Sequence, residues 1–152
     1  MTVLQITRIE AANLAELLRQ FREVMDAADQ ADPAVQRLTP DAYPDDREAS
    51  RQFRDLTASD LLSRRKEDAQ TVIESLGVPF EMPRTETESL EELTIALSAN
   101  QFEAWLRSLA ALRLVLASRL GVAGEDDHDE DDPRFGVYDW LGYRLEMLVQ
   151  QA

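Results

Sequence analysis

Between Ser98 and Gly121 the sequence specifies one long helix and marks both of its ends. Ser98 and Gln101 have the spacing of a capping box, in which each side chain takes up a backbone N–H that the first turn leaves unpaired. Phe102, Leu106, Leu109, Arg113, Leu116 and Leu120 follow in steps of four, three, four, three and four. That period puts them on one face, and Trp105, Leu112 and Val115 widen it. Gly121 supplies the left-handed residue on which such helices stop. A helix of roughly six turns with so broad an apolar face must be covered by other segments. A helical domain built around residues 99–120 is therefore the expected architecture.

The neighbouring segments read as its partners. Thr7 and Glu10 form a second capping box, and Ile9, Leu14, Leu17, Leu18, Phe21, Val24, Met25 and Ala28 predict a helix over 8–29. Asp32-Pro33 is a cap followed by proline at the first helical position, opening a short helix to about Leu38. Pro40 and Pro44 make 39–46 a loop. Asp45 or Asp46 then caps a short helix ending near Leu56. Thr57 or Ser59 starts another, with Leu62, Ala69, Val72, Ile73 and Leu76 inward and Gly77 as its stop. Residues 78–92, with Pro79 and Pro83 and no period, read as a surface linker. Residues 2–6 and 94–97 are short extended candidates that each run into a helix cap; a lone pair of strands is marginal and must lean on helices. Asp132-Pro133 repeats the cap-plus-proline start, and Tyr138, Leu141, Leu145 and Leu148 predict a last helix over 134–150.

The expected fold is thus all-α: a multi-helix, bundle-like single domain over 1–152, with at most a minor two-stranded β element near 2–6 and 94–97. It carries a surface linker at 78–92 and an acidic loop at 124–132. Helix 99–120 is expected to pack against both 8–29 and 134–150.

Composition narrows the function classes. The chain carries 30 Asp+Glu against 16 Lys+Arg, a net charge of −14, with no cysteine and one histidine. There is no thiol nucleophile, disulfide framework or cysteine metal site, and one histidine gives little scope for triad catalysis or a histidine-rich metal centre. A surface at −14 repels phosphate backbones, so no nucleic acid is expected. The one dense basic spot, Arg64-Arg65-Lys66, is flanked by Asp60, Glu67 and Asp68. No apolar run approaches the ~20 residues that span a bilayer, and the N-terminus shows no basic-then-apolar signal. No membrane association is expected, and a homodimer stays open.

Few residues invite a chemical role. Residues 125–132 hold seven carboxylates and His128, but lack the order of an EF-hand; a solvated loop is expected, with no metal site. Glycine-rich phosphate loops, metalloprotease helices and nucleophile elbows are missing, so no catalytic residue and no cofactor is assigned. Arg113 is the anomaly, because it takes an inward position where leucine would be expected. A buried arginine needs a partner. If the last helix runs antiparallel to 99–120, Asp139 comes within reach; a structural Arg113–Asp139 ion pair is expected, with Asp60 as the fallback acid. Trp105, Tyr138, Trp140 and Tyr143 are candidate interface or pocket aromatics. The last three cannot all face one way on a helix, so at least one lies near the surface.

Several strings together carry a resemblance. They are Arg37-Leu38 with Pro40-Asp41-Ala42-Tyr43, Phe53-Arg54-Asp55-Leu56-Thr57, Trp105-Leu106, Leu112-Arg113-Leu114, Arg119-Leu120-Gly121 and, most specific, Val137-Tyr138-Asp139-Trp140-Leu141-Gly142. The sequence resembles, over nearly its whole length, an actinobacterial family of uncharacterised proteins, the domain-of-unknown-function family numbered two thousand and seventeen. The resemblance implies a cytoplasmic protein without an assigned activity, and genes neighbouring the adaptor of the Clp protease. It carries over no catalytic residue. The resulting expectation is a non-catalytic cytoplasmic interaction or regulatory protein with a protein partner, linked to Clp-type proteolysis by gene neighbourhood alone. The alternatives are a small-molecule-binding or hydrolytic enzyme using Arg113 and nearby carboxylates, and a transcription regulator, which the charge disfavours.

Overall fold

The structure, a computed structural model, describes residues 2–39, 47–77, 82–121 and 131–151. Among these residues there are six helices and one small antiparallel sheet. The chain order is β1 (Thr2–Thr7), α1 (Arg8–Ala27), α2 (Pro33–Leu38), α3 (Arg47–Ser75), α4 (Glu86–Ser89), β2 (Glu92–Leu97), α5 (Ala99–Leu120) and α6 (Gly136–Gln150). A 3-10 turn, Pro133–Phe135, leads into α6. The fold is all-α with a minor β element.

The caps read from sequence are present. Thr7 with Glu10 and Ser98 with Gln101 form complete capping boxes, so both strands end in the first bonds of a helix. Asp32 and Asp132 each accept from a backbone N–H ahead of a proline start. Gly121 closes α5 at φ +78, and Gly77 follows α3 at φ +90. Ala28 ends α1 in the same left-handed region without being glycine.

α3 departs from expectation. It is one helix of 29 residues, not two short ones joined near Thr57. Thr57 and Ser59 suggest a cap, but no glycine or proline lies between Arg47 and Ser75. Once nucleated, such a helix propagates through hydroxyl residues, which bond back to their own backbone, as Thr71 does to the Glu67 carbonyl. The proposed caps Asp45 and Asp46 lie outside the described residues, as do loop 40–46, residues 78–81 and most of the acidic loop, 122–130. Within the expected linker, residues 82–91 keep to the surface, yet Thr85 caps the one-turn α4, and β2 begins at Glu92.

The packing also differs in one respect. α5 lies against α3, α6 and α2, whereas α1 packs mainly on α3 and only lightly on α5. A helix of 29 residues is about 43 Å long, enough to serve both α1 and α5 and to stand between them. The main core joins Leu14, Leu18 and Phe21 of α1 to Leu62 and Val72 of α3, Leu109 and Leu112 of α5, and Leu141 and Leu148 of α6. The β1–β2 ribbon roofs it with Leu4, Ile6, Ile95 and Leu97. Its register runs without a bulge from Thr2 opposite Leu97 to Thr7 opposite Glu92.

Candidate functional site

On each of two flanks of α6 an arginine, a carboxylate and an aromatic ring come together, with Glu10 supplied by α1 and Arg113 by α5. On the first, Glu10 is the hub. As the third residue of its capping box it accepts from the Thr7 N–H at 3.1 Å and the Thr7 hydroxyl at 2.9 Å. Trp140 and Arg144 are four apart on α6 and so share a face. The Trp140 indole N–H donates to Glu10 Oε2 at 2.6 Å. Arg144 donates through Nη2 to both Glu10 oxygens at 2.9 and 2.8 Å, and through Nη1 to the Gln5 carbonyl at 2.9 Å. Arg144 is 9% exposed. Burial pushes the Glu10 carboxyl up. The hydrogen bonds from Arg144, the Thr7 backbone, Trp140 and the Thr7 hydroxyl outweigh it and bring the pKa down to about 2. Beside this clamp, between α1 and α6, lies a mostly apolar hollow of about 440 Å³, lined by Glu10, Asn13, Leu17, Gly136, Val137 and Trp140.

On the second flank the Arg113 guanidinium lies 4.0 Å from the centroid of the Tyr138 ring, a cation–π stack. Gly142 makes this seat possible, because a Cβ there would stand 2.9 Å from Arg113 Nε. Arg113 and Asp139, both half-buried, line one wide, shallow hollow together with Gly142, Tyr143, Glu146 and Val149. The structure therefore brings the two expected partners to one place. Asp60 is engaged elsewhere, with Arg64 Nη2 at 3.2 Å on the surface of α3.

The four aromatics separate. Trp105 is 1% exposed, and its indole N–H donates to the Ser75 hydroxyl at 2.8 Å, so it ties α5 to the end of α3 and offers nothing to a partner. Tyr138 is buried beside Phe135 and Ala117. Trp140 is half-buried over the first hollow, and Tyr143, at 59% exposure, stands on the rim of the second.

The Glu10–Arg144 clamp is not read from the sequence, which assigns Glu10 to the cap alone and gives Arg144 no role. The signal was there: Leu141, Arg144 and Leu148 fall in steps of three and four, so Arg144 interrupts an inward stripe just as Arg113 does. Other cations face acids too. Lys66 pairs with Asp26, Arg107 with Asp68 at 2.9 Å and Arg119 with Asp32 at 2.6 Å. Among the described residues there is no group of three or more metal-ligating side chains, and no helix is long and apolar enough to cross a membrane.

The family model of a domain of unknown function, DUF2017, matches residues 2–152. The chain belongs to this family. No curated protein and no solved structure matches it.

Proposed function

We propose that the protein is a non-catalytic interaction or regulatory protein that receives a protein partner on α6. The observation that carries this reading is the hollow between α1 and α6. Trp140 is fixed there by its bond to Glu10, Val137 is 45% exposed beside it, and Gly136 has nothing within 4 Å of where a Cβ would be. A rigid aromatic beside an exposed aliphatic residue, rimmed by polar groups, is what interface anchors look like. The chain acts in the cytoplasm as one domain, and gene neighbourhood makes Clp-type proteolysis the first process to examine. An Arg113–Asp139 ion pair belongs to this reading as a structural clamp on the opposite flank.

The enzyme alternative has the Arg113 hollow as its only support, and there the guanidinium is stacked on Tyr138. The transcription-regulator alternative needs a basic surface, while Arg64 and Lys66 each face an acid. A photo-crosslinking residue at Val137 in native lysate tests the proposal, with the same label at exposed Glu74 of α3 as control. A protein captured from Val137 alone is expected. Capture of nothing, with a small molecule co-purifying in native mass spectrometry, would end the interaction reading.

A further inference from the structure

The two outer edges of the β1–β2 ribbon are treated differently. The Arg8 N–H donates to the Glu91 carbonyl at 2.9 Å, and the register pairs Ile6 with Leu93 and Leu4 with Ile95. In an antiparallel pair, backbone groups point inward and outward at alternate residues. The N–H and C=O groups of Leu93, Ile95 and Leu97 therefore face β1, and those of Glu92, Thr94 and Ala96 face away. On β1 the outward groups belong to Val3, Gln5 and Thr7. There the edge is closed at its helix end, where Glu10 takes the Thr7 N–H and Arg144 takes the Gln5 carbonyl, and open around Val3. On β2, among the described residues, no hydrogen bond reaches the backbone of Glu92, Thr94 or Ala96, and all three residues are exposed.

Proteins commonly blunt such an edge with lysine, proline, a bulge or a covering segment. β2 reads Glu-Leu-Thr-Ile-Ala-Leu, with no lysine or proline, and its register has no bulge. Its surroundings are acidic. Among the described residues Glu86, Glu88 and Glu92 are exposed and make no ion pair, against the single cation Arg84 in the stretch 84–92. The chain as a whole stands at −14.

We infer that the outer edge of β2 takes up an extended, basic segment of a partner protein as a third strand. Main-chain bonds to Glu92, Thr94 and Ala96 supply the affinity, as in other strand additions. The acids of α4 and β2 select lysine- and arginine-bearing segments and steer their approach. Charge also decides against a second copy as the occupant, since two chains at −14 repel. A third strand would relieve the weakness of a two-stranded ribbon. The inference rests on the interaction reading and adds to it a second surface, apart from the α6 hollow, with its own partner chemistry.

The probe is a capped six-residue peptide, the length of β2, alternating valine with lysine or arginine. Binding to the full chain is followed by titration and by amide hydrogen exchange. The expected result is slowed exchange at Thr94 and Ala96, with affinity that falls as salt rises. Thr94→Pro removes an outward N–H without touching the ladder to β1 and should weaken binding at least about tenfold. If that variant fails to fold, Glu86, Glu88 and Glu92 changed together to Gln keep the backbone and should weaken binding about tenfold at low salt. An acidic peptide binding equally well, slow exchange at Thr94 already present in peptide-free protein through self-association, or peptide binding with Thr94 still exchanging fast would each overturn the inference. A protein captured at Val137 while the β2 edge stays open would leave the interaction reading standing and remove this one.

Discussion

On one flank of α6 the Arg144 guanidinium is enclosed by Glu10, the Gln5 carbonyl and the Trp140–Glu10 bond, and only 9% of the residue is exposed. On the other flank Arg113 lies across Tyr138 and borders an open hollow shared with Asp139 and Glu146. Both arginines interrupt a leucine stripe. The surroundings make them different devices. Glu10 is held by its helix cap as well as by Arg144, and the pair fixes β1, α1 and α6 to one another. Arg113 is seated by a ring and by the absence of a side chain at Gly142. The first arrangement is directional and enclosed; the second rests on shape and borders an open hollow.

The comparison breaks most visibly at Glu10. Glu10→Gln leaves Arg144 enclosed without its charge partner, while the glutamine can still complete the α1 capping box as Gln101 does at α5. A loss of about 3 kcal/mol is expected, the low end for removing one member of a buried pair, because Glu10 itself is only partly buried. Chemical denaturation measures it. Arg113→Met keeps the apolar stem over Tyr138 and should cost less, about 1–2 kcal/mol, the scale of a half-buried cation–π contact together with the proposed pair to Asp139. Equal losses at the two sites would erase the distinction drawn between the flanks.

Acid gives a second measure of nearly the same size. The Glu10 carboxyl is lowered to about 2 in the folded chain, from 4.5. A lowered carboxyl contributes stability that is complete above the unfolded value and is lost as pH falls through the folded one. The window therefore runs from about pH 4.5 down to about 2. The contribution at stake is about 3 kcal/mol, at 1.36 kcal/mol for each pH unit of displacement. Asp32, pulled down by Arg119, adds to the loss in the same direction. Between pH 5 and pH 2.5 the Glu10→Gln protein should lose distinctly less stability than the parent. Parallel curves for the two would show that the clamp is not what titrates.

Gly142→Ala probes the opposite flank more gently. In a helix alanine is worth up to about 1 kcal/mol over glycine. At Gly142 the new Cβ meets Arg113 Nε at 2.9 Å and the guanidinium carbon at 3.2 Å, so the stack on Tyr138 must shift. A small net loss, at most about 1 kcal/mol, is expected, because only the mobile end of Arg113 has to shift. Gly136→Ala meets nothing within 4 Å and should be neutral or slightly stabilising. A Gly142→Ala protein as stable as Gly136→Ala would mean that Arg113 moves aside freely and that the seat is not specific.

What the sequence made legible follows the same division between local and distant causes. The capping boxes at Thr7 and Ser98, the stops at Gly77 and Gly121, and the stripes of α1, α5 and α6 are encoded within a few residues, and the structure shows them. The break expected near Thr57 failed because a cap residue is permissive: it starts a helix only where something else ends the previous one. Arg113 was conspicuous because the stripe around it is long. Arg144 stood in a shorter stripe, and its partner was already spoken for as a cap, so the sequence offered no reason to look for a second role. The separation of 134 positions between the two is a matter of tertiary packing, which periodicity does not carry.

The smallest effect belongs to Tyr143, which shares the open flank with Arg113 and is 59% exposed. Its ring lines the rim of the hollow, alongside Glu146 and Val149, and encloses nothing. Truncation at such a position removes little buried area, and alanine suits a helix slightly better than tyrosine. Tyr143→Ala should therefore change stability by less than about 0.5 kcal/mol, within the usual range for surface changes. Trp140→Phe on the clamped flank keeps the apolar ring but loses the indole N–H, leaving Glu10 one donor short, and should cost about 1 kcal/mol. The two substitutions treat the flanks alike in kind, since each trims an aromatic of α6, and they should differ measurably in denaturant. A loss above about 1 kcal/mol at Tyr143 would show that the second hollow is packed shut in solution. The open flank would then be as closed as the first, and its exposed ring would have no claim on a partner.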